Sequence, residues 1–207
     1  MRIERVELSR HKKGRVLVFL EDGACLKITE QELLDFRFQA GDELDGETLE
    51  RLKAAAGLSN TRAAAADLIG RRAMSRRDLE KKLREKGASE AEARYAAEWL
   101  EAIGAINDAE YAAALVRHYG GRGYGPSYIR QKLYEKGVPK ELWEDALEEL
   151  PEGSPIDAFL ASRLRGRAPD EKEKRRLTNA LLRRGFAWGD VKAAWVRRSE
   201  AIDYDED

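Results

Sequence analysis

The chain has 207 residues, of which 43% are hydrophobic and 37% are charged, so it can bury modest cores while much of it stays as solvated surface. Its 38 Lys and Arg residues are balanced by 39 Asp and Glu residues, and this formal net charge of -1 removes overall charge as an argument for nucleic-acid binding. The single cysteine, Cys25, excludes an intramolecular disulfide framework and a cysteine-rich zinc site.

Targeting and membrane-spanning segments are not indicated. The N-terminus lacks the apolar stretch of a signal peptide, and no run of about 18 apolar residues is present to cross a bilayer. A chain with one cysteine also suits a reducing compartment. We expect a soluble, cytoplasmic protein with no membrane partner.

Apolar and polar residues alternate at the start of the chain, in segments 3–8, 15–20 and 24–28. This period of two predicts a three-stranded antiparallel meander, with turns at residues 11–14 and 21–23. So small a sheet needs helices against it, and segments 31–36 and 47–56 are the candidates.

The second of these helices is predicted to be short. Gly57 stands where a left-handed cap would end it, and Asn60 or Thr61 would begin the next helix.

From there the chain repeats, which is visible when the sequences around Gly87, Gly137 and Gly185 are aligned. Each glycine follows a cation, and large aliphatic residues stand four and eight positions before it, on one face of a helix. Those aliphatic pairs are Leu79 and Leu83, Ile129 and Leu133, and Leu177 and Leu181. A second amphipathic helix follows each glycine and a further one precedes each pair, so each repeat has three helices.

We therefore predict a mainly α-helical fold, with three tandem three-helix repeats forming an extended curved body behind a small N-terminal three-stranded antiparallel β element with short helices. The predicted domains are 1–58 for the β element, 59–104, 105–151 and 152–199 for the repeats, and 200–207 for an acidic, disordered tail. A purely structural array with no binding surface is the alternative.

At this point the sequence resembles the RecX family, in the segments 71–87, 106–112 and 125–138. The resemblance implies a bacterial, non-enzymatic regulator that associates with RecA filaments on DNA and inhibits or modulates RecA ATPase, strand exchange and coprotease activity. It implies no cofactor. A monomer is expected.

The charges are unevenly distributed. Between Arg71 and Lys86 there are eight cations and three acids, an excess of +5. The 100° spacing of a helix places Arg77, Lys81 and Arg84 opposite the buried leucines, as a positive ridge facing solvent. A second basic cluster, residues 163–176, has seven cations and three acids, an excess of +4.

The equivalent ridge positions carry different side chains in the other repeats. They are Ser127, Gln131 and Tyr134 in the second repeat, and Arg175, Asn179 and Leu182 in the third. The first repeat is therefore the expected electrostatic contact. The candidate residues for binding a protein or DNA partner are Arg71, Arg72, Arg76, Arg77, Lys81, Lys82, Arg84, Arg122, Tyr124, Arg130, Lys132, Arg175 and Arg176.

Catalytic chemistry is not indicated. With His11 and His118 as the only histidines, a histidine triad or metal site is hard to build, and His118 suits a solvated or stacking role. The glycine-rich segment 120–125 lacks the strand-loop-helix setting and the Lys-Ser/Thr ending of a phosphate loop. We interpret it as a flexible hinge, whose Tyr119, Arg122 and Tyr124 would otherwise stack on bases or on a partner. We predict no enzyme, no metal and no catalytic residue.

Two alternatives stay open on the sequence alone. The basic residues are equally well explained as ordinary soluble helix surface with pairs such as Glu80 and Arg84. The second function considered is a stand-alone DNA-binding protein that docks three-helix units and basic ridges on DNA.

Overall fold

The computed structural model describes residues 1–150 and 154–205. It forms two compact units, which are called unit 1, Met1–Ile106, and unit 2, which begins at Asn107. The strands are β1 (Ile3–Leu8), β2 (Arg15–Leu20) and β3 (Cys25–Thr29). The α-helices of unit 1 are α1 (Glu30–Phe36), α2 (Gly46–Arg71), α3 (Arg76–Glu85) and α4 (Glu90–Ala102). Those described in unit 2 are α5 (Asp108–Gly120), α6 (Pro126–Glu135), α7 (Trp143–Leu147), α8 (Pro155–Leu164), α9 (Glu171–Arg183) and α10 (Trp188–Asp205).

The N-terminal meander is confirmed, with strand order β1-β2-β3 and antiparallel pairing throughout. Its inner face carries Val16, Val18 and Leu20, which are buried because α1 and α2 cover them as the alternation requires. The β2–β3 loop, residues 21–24, is closed by a 2.9 Å hydrogen bond from the Leu20 N–H to the Ala24 carbonyl. Gly23 has a φ of +83°, which is the left-handed conformation that this loop requires.

The helix break predicted at Gly57 is wrong, because α2 runs without interruption from Gly46 to Arg71. Its first half buries Leu49 and Leu52 under the sheet, and its second half buries Ala65 in the first repeat. Gly57 is inside the helix, where an added Cβ would meet only the carboxyl end of the Glu92 side chain. The predicted boundary between residues 58 and 59 therefore falls within a single helix, and tertiary packing overrides the local signal of the glycine.

The three-helix repeats are present in the order predicted. Repeat 1 is the second half of α2 with α3 and α4, repeat 2 is α5 to α7 with a short 3-10 turn at Lys140–Leu142, and repeat 3 is α8 to α10. All six aliphatic residues of the aligned pairs are buried, with at most 4% of their surface exposed. Gly87, Gly137 and Gly185 have φ values of +96°, +71° and +88°, so each closes its helix in the left-handed conformation.

The C-terminal end differs from the prediction of a disordered tail. Helix α10 continues to Asp205, so residues 200–205 extend the third repeat; adding residues to an existing helix avoids the cost of nucleation. Residues 206–207, and the predicted boundary between residues 151 and 152, lie outside the described residues. None of the described helices is long and apolar enough to cross a membrane.

Candidate partner-binding surface

The exposed face of α3 is the most basic helix face singled out by the sequence. The helix is capped by Ser75, whose buried hydroxyl accepts a 3.1 Å hydrogen bond from the Asp78 N–H. Leu79 and Leu83 are 0% and 1% exposed and hold one side of the helix in the core of repeat 1. The opposite side carries Arg77, Lys81 and Arg84, all exposed, and these three residues are called the α3 ridge.

The charge of the α3 ridge is mostly uncompensated. Lys81 lies 3.8 Å from Glu85, a long and exposed ion pair that contributes little. Within the part of the chain that the structure describes, Arg77 and Arg84 have no ion pair. The pair of Glu80 with Arg84 considered from the sequence does not form, since Glu80 contacts Arg76 instead.

Arg76, also a predicted binding residue, has its charge neutralised inside repeat 1. Its guanidinium lies 3.0 Å from Glu80, 2.7 Å from Glu101 and 3.4 Å from Glu98. The hydrogen bond to Glu80, with the charges of all three carboxylates, raises the pKa of Arg76 above its ordinary value. Arg76 therefore fastens α3 to α4, which makes it a poor candidate for contacting a partner.

The other predicted cations of repeat 1 are Arg71, Arg72 and Lys82. Arg71 is exposed at the end of α2. Arg72 reaches Asp78 at 3.8 Å, and Lys82 reaches the same carboxylate at 3.3 Å. One acid thus serves two cations, which leaves this flank of α3 positive.

The corresponding cations of repeat 2 are paired. Arg130 makes two hydrogen bonds to Glu144, of 3.0 and 2.8 Å, and these lower the pKa of Glu144. Lys132 lies 2.7 Å from Glu135, and this hydrogen bond raises the pKa of Lys132. Both predicted binding residues are therefore engaged within the repeat, while Ser127, Gln131 and Tyr134 form an exposed face without ionic groups.

The glycine-rich segment 120–125 is packed between repeats 2 and 3, which corrects its interpretation as a flexible hinge. The Gly125 N–H donates a 2.7 Å hydrogen bond to the Arg184 carbonyl, and an added Cβ at Gly125 would lie 2.5 Å from the Gly185 carbonyl oxygen. Tyr124 stacks on Tyr128 with ring centroids 4.2 Å apart. The glycines here let two backbones approach each other closely and do not make the segment mobile.

Arg184 is the residue whose role the sequence did not show. Its guanidinium donates to the Gly123 carbonyl at 3.1 Å and lies over the rings of Tyr124 and Phe159, at 5.7 and 4.8 Å. Only its position before Gly185 was visible in the sequence, as a cation in a last helical turn. Arg122, predicted nearby as a binding residue, is exposed at this junction.

The third ridge is mixed in character. Arg175, Asn179 and Leu182 are exposed on α9, and Arg176 lies 3.4 Å from Glu173. Glu173 is also held by Arg167 at 2.6 Å, so this one acid serves two of the seven cations of the second basic cluster.

The two histidines and the possible metal ligands were also located in the structure. His11 and His118 are exposed, and the His118 ring makes an edge contact with Tyr119, with ring centroids 5.0 Å apart. Among the described residues, no group of three or more His, Cys, Asp or Glu side chains is arranged to hold a metal ion.

These features define a helical-repeat protein whose candidate site is the exposed side of its helices. A family model for the RecX second three-helix domain matches residues 107–147. A protein of Pseudomonas putida named regulatory protein RecX is 31% identical over 128 residues, which is 60% of this chain and 82% of that protein. The regulatory protein RecX of Levilactobacillus brevis is 28% identical over 187 residues, covering 86% of this chain and 69% of that protein.

Solved structures show the same fold. A crystal structure of regulatory protein RecX matches 93% of this chain and 98% of its own with a TM-score of 0.67 at 24% identity. The RecX structure from Lactobacillus salivarius matches 72% of this chain and 99% of its own with a TM-score of 0.62, also at 24% identity. The chain belongs to the RecX family.

Proposed function

We propose that this chain binds RecA filaments and restrains RecA ATPase, strand exchange and coprotease activity, without catalysis of its own. Membership of a family whose relatives are named regulatory proteins supports a regulatory role. The RecA partner is what the sequence resemblance implies. Binding by helix faces, rather than chemistry at a pocket, is the mode that the repeat architecture favours.

The α3 ridge is the observation that carries this proposal. Arg77 and Arg84 are separated by two helical turns, about 10.5 Å, with Lys81 between them. All three are exposed on a helix fixed by Leu79 and Leu83, so the cations are presented in a defined row. Such a row attracts an acidic protein surface or the DNA of a filament, and the attraction is strongest at low salt.

Restraint would follow from binding across neighbouring RecA subunits. A bound chain that favours one arrangement of those subunits opposes the changes that accompany ATP turnover, since a ligand shifts an equilibrium toward the state that it binds better. The other exposed candidates, Arg71, Arg122 and Arg175, would add to such a contact. Arg76, Arg130 and Lys132 would contribute less, because their charges are already paired.

The test is the rate of ATP hydrolysis by RecA on single-stranded DNA while this chain is titrated from far below the RecA concentration to equality with it. We expect inhibition at substoichiometric amounts, because one chain that contacts several subunits affects more than one active site. No change in rate over the whole range would contradict the proposal.

Charge reversal locates the surface. The variant R77E/K81E/R84E is expected to need at least tenfold higher concentration to inhibit RecA. The matched variant K27E/K140E/K192E reverses three other exposed cations and is expected to inhibit like the wild-type chain. Circular dichroism should show the same helix content in both. Equal inhibition by the two variants would exclude the α3 ridge as the contact.

A further inference from the structure

Strand β1 lies at an edge of the sheet, and its outer side is covered only near its start. The strand order β1-β2-β3 leaves that side without a neighbouring strand. Residues 41–43 cover the first part, where the Ile3 N–H donates to the Asp42 carbonyl at 2.9 Å and the Gly41 N–H donates to the Ile3 carbonyl at 2.8 Å. From residue 4 to residue 8, no described residue outside the sheet forms a hydrogen bond with the backbone. This part of β1 is called the open edge.

The open edge presents unpaired backbone groups. The Ser9 N–H donates to the Arg15 carbonyl at 2.7 Å, so this pair is hydrogen-bonded, and hydrogen-bonded pairs alternate with non-bonded pairs along an antiparallel ladder. The N–H and C=O groups of Val6 and Leu8 consequently point away from β2. Groups of this kind are a template for pairing with another strand.

The two ends of the open edge carry opposite charges. Its C-terminal end leads into the β1–β2 turn, which has no acidic residue and three exposed cations, Arg10, Lys12 and Lys13. Its N-terminal end lies beside three carboxylates and one cation, which are Asp42, Glu43, Asp45 and Arg2. Within the described part of the chain, none of the three carboxylates forms an ion pair, and Lys12 is the one cation of the turn that does.

We infer that the open edge binds the same edge of a second copy of this chain, as an antiparallel pair centred on Val6. A two-fold axis at Val6 places Arg5 of each copy directly opposite Glu7 of the other. It also brings the basic turn of each copy to the acidic end of the other. Because the interface is self-complementary, each of these favourable contacts is made twice.

Charge selects this register over its neighbours. A pair centred on Arg5 would place two guanidinium groups opposite each other, and a pair centred on Glu7 would do the same with two carboxylates. Like charges directly opposite each other on paired strands are destabilising. Arg5 and Glu7 already lie 2.9 Å apart within one copy, so the register centred on Val6 completes a ring of four alternating charges.

The pairing ends at two copies. The other edge of the sheet belongs to β3, which α2 contacts, and Asn60 Nδ2 donates to the Lys27 carbonyl there at 2.7 Å. Both open edges are used once the pair forms, so the assembly is closed. This inference departs from the monomer expected from the sequence, and it does not depend on RecA.

The test is sedimentation velocity of the full chain, without RecA or nucleic acid, from about 5 to about 500 µM, because so small an interface belongs to the weak class. We expect a dimer whose fraction rises with concentration. Arg5→Glu and Glu7→Arg each place like charges opposite in the homodimer, and each should weaken association at least about tenfold. An equimolar mixture of the two variants should associate again, because every glutamate then meets an arginine.

Two further variants make the result specific to the strand edge. Leu8→Pro removes an N–H that points away from β2, a change that edge strands tolerate, and it should weaken the dimer at unchanged helix content in circular dichroism. Lys192→Glu reverses an exposed cation in α10 and should dimerise like the wild-type chain. A wild-type chain that stays monomeric over the whole range would overturn the inference. So would full association of either charge variant alone, or a mixture that associates no better than its components.

Discussion

Helices α3 and α6 hold equivalent positions in the first and second repeats, yet they share only their buried side. Leu79 and Leu83 of α3 correspond to Ile129 and Leu133 of α6, and each is at most 1% exposed. Their exposed sides have nothing in common, since α3 presents three cations where α6 presents a hydroxyl, an amide and a phenol.

The difference shows how a repeat protein separates folding from recognition. Burial demands aliphatic residues four positions apart on each helix, so the core is constrained to repeat. The solvent side has no such constraint, and its side chains are free to differ from repeat to repeat. Binding should therefore be looked for where the repeats differ, and stability where they agree.

The largest effect is expected from removing a buried aliphatic residue, which tests whether the cores of the two repeats are equivalent. Leu83→Ala in α3 and Leu133→Ala in α6 are each expected to destabilise their unit by roughly 2–5 kcal/mol, because both delete a fully buried side chain. Urea denaturation followed by circular dichroism provides the measurement. If one variant loses about 2 kcal/mol more free energy of unfolding than the other, the two cores are not equivalent.

The capping glycines provide a sharper contrast. Gly87→Ala meets no atom within 4 Å and should cost only the roughly 1–2 kcal/mol of a left-handed alanine. Gly185→Ala adds a contact of 2.3 Å with the Tyr128 backbone nitrogen and should cost about 2 kcal/mol more. Equal melting shifts for the two variants would mean that the junction of repeats 2 and 3 opens easily.

The starts of the two helices should also respond differently. Ser75→Ala removes the buried hydroxyl that caps α3 and should destabilise unit 1 by about 1 kcal/mol. Ser127→Ala, in the first turn of α6 behind Pro126, removes an exposed hydroxyl that caps nothing and should stay within about 0.5 kcal/mol of wild type. Thermal denaturation of both variants distinguishes these costs, and a larger loss from Ser127→Ala would contradict the assignment.

The smallest expected effect is a dependence of stability on pH in unit 2. Hydrogen bonds from Arg130 depress the pKa of Glu144, so the folded carboxylate binds a proton less readily than the unfolded one. The stabilisation is complete above the ordinary glutamate value near 4.5 and is lost as pH falls through the depressed pKa of the folded state. Urea midpoints between pH 6 and pH 3 should therefore fall less steeply for Glu144→Gln than for wild type, and parallel curves would show that the pair is not formed.

Much of the fold was predictable because its signals are local. The alternation of β1 to β3, the glycine caps and the aliphatic pairs each depend on residues within one turn or one hairpin. The continuity of α2 through Gly57 was not predictable, since it depends on burial of Leu52 under the sheet and of Ala65 in repeat 1.

The candidate site was likewise predictable only where its features depend on local spacing. The exposure of Arg77, Lys81 and Arg84 follows from helical spacing. Pairings across the fold do not, because the partner of Arg130 lies 14 residues away on another helix, and Arg184 meets the Gly123 carbonyl across 61 residues. These contacts decide which cations remain free, and the sequence alone treats all of them alike.

The long helix α2 also decides how unit 1 comes apart. Its 26 residues, about 39 Å, form one wall of the sheet's core and one wall of the first repeat's core, so unfolding the whole helix exposes apolar surface in both. Opening of one part should therefore cost nearly as much as opening the whole, which is the behaviour of a single cooperative unit in hydrogen exchange. The β element is therefore not a separable domain. A chain shortened to begin at residue 59 would keep only half of α2, the helix on which its first repeat is built.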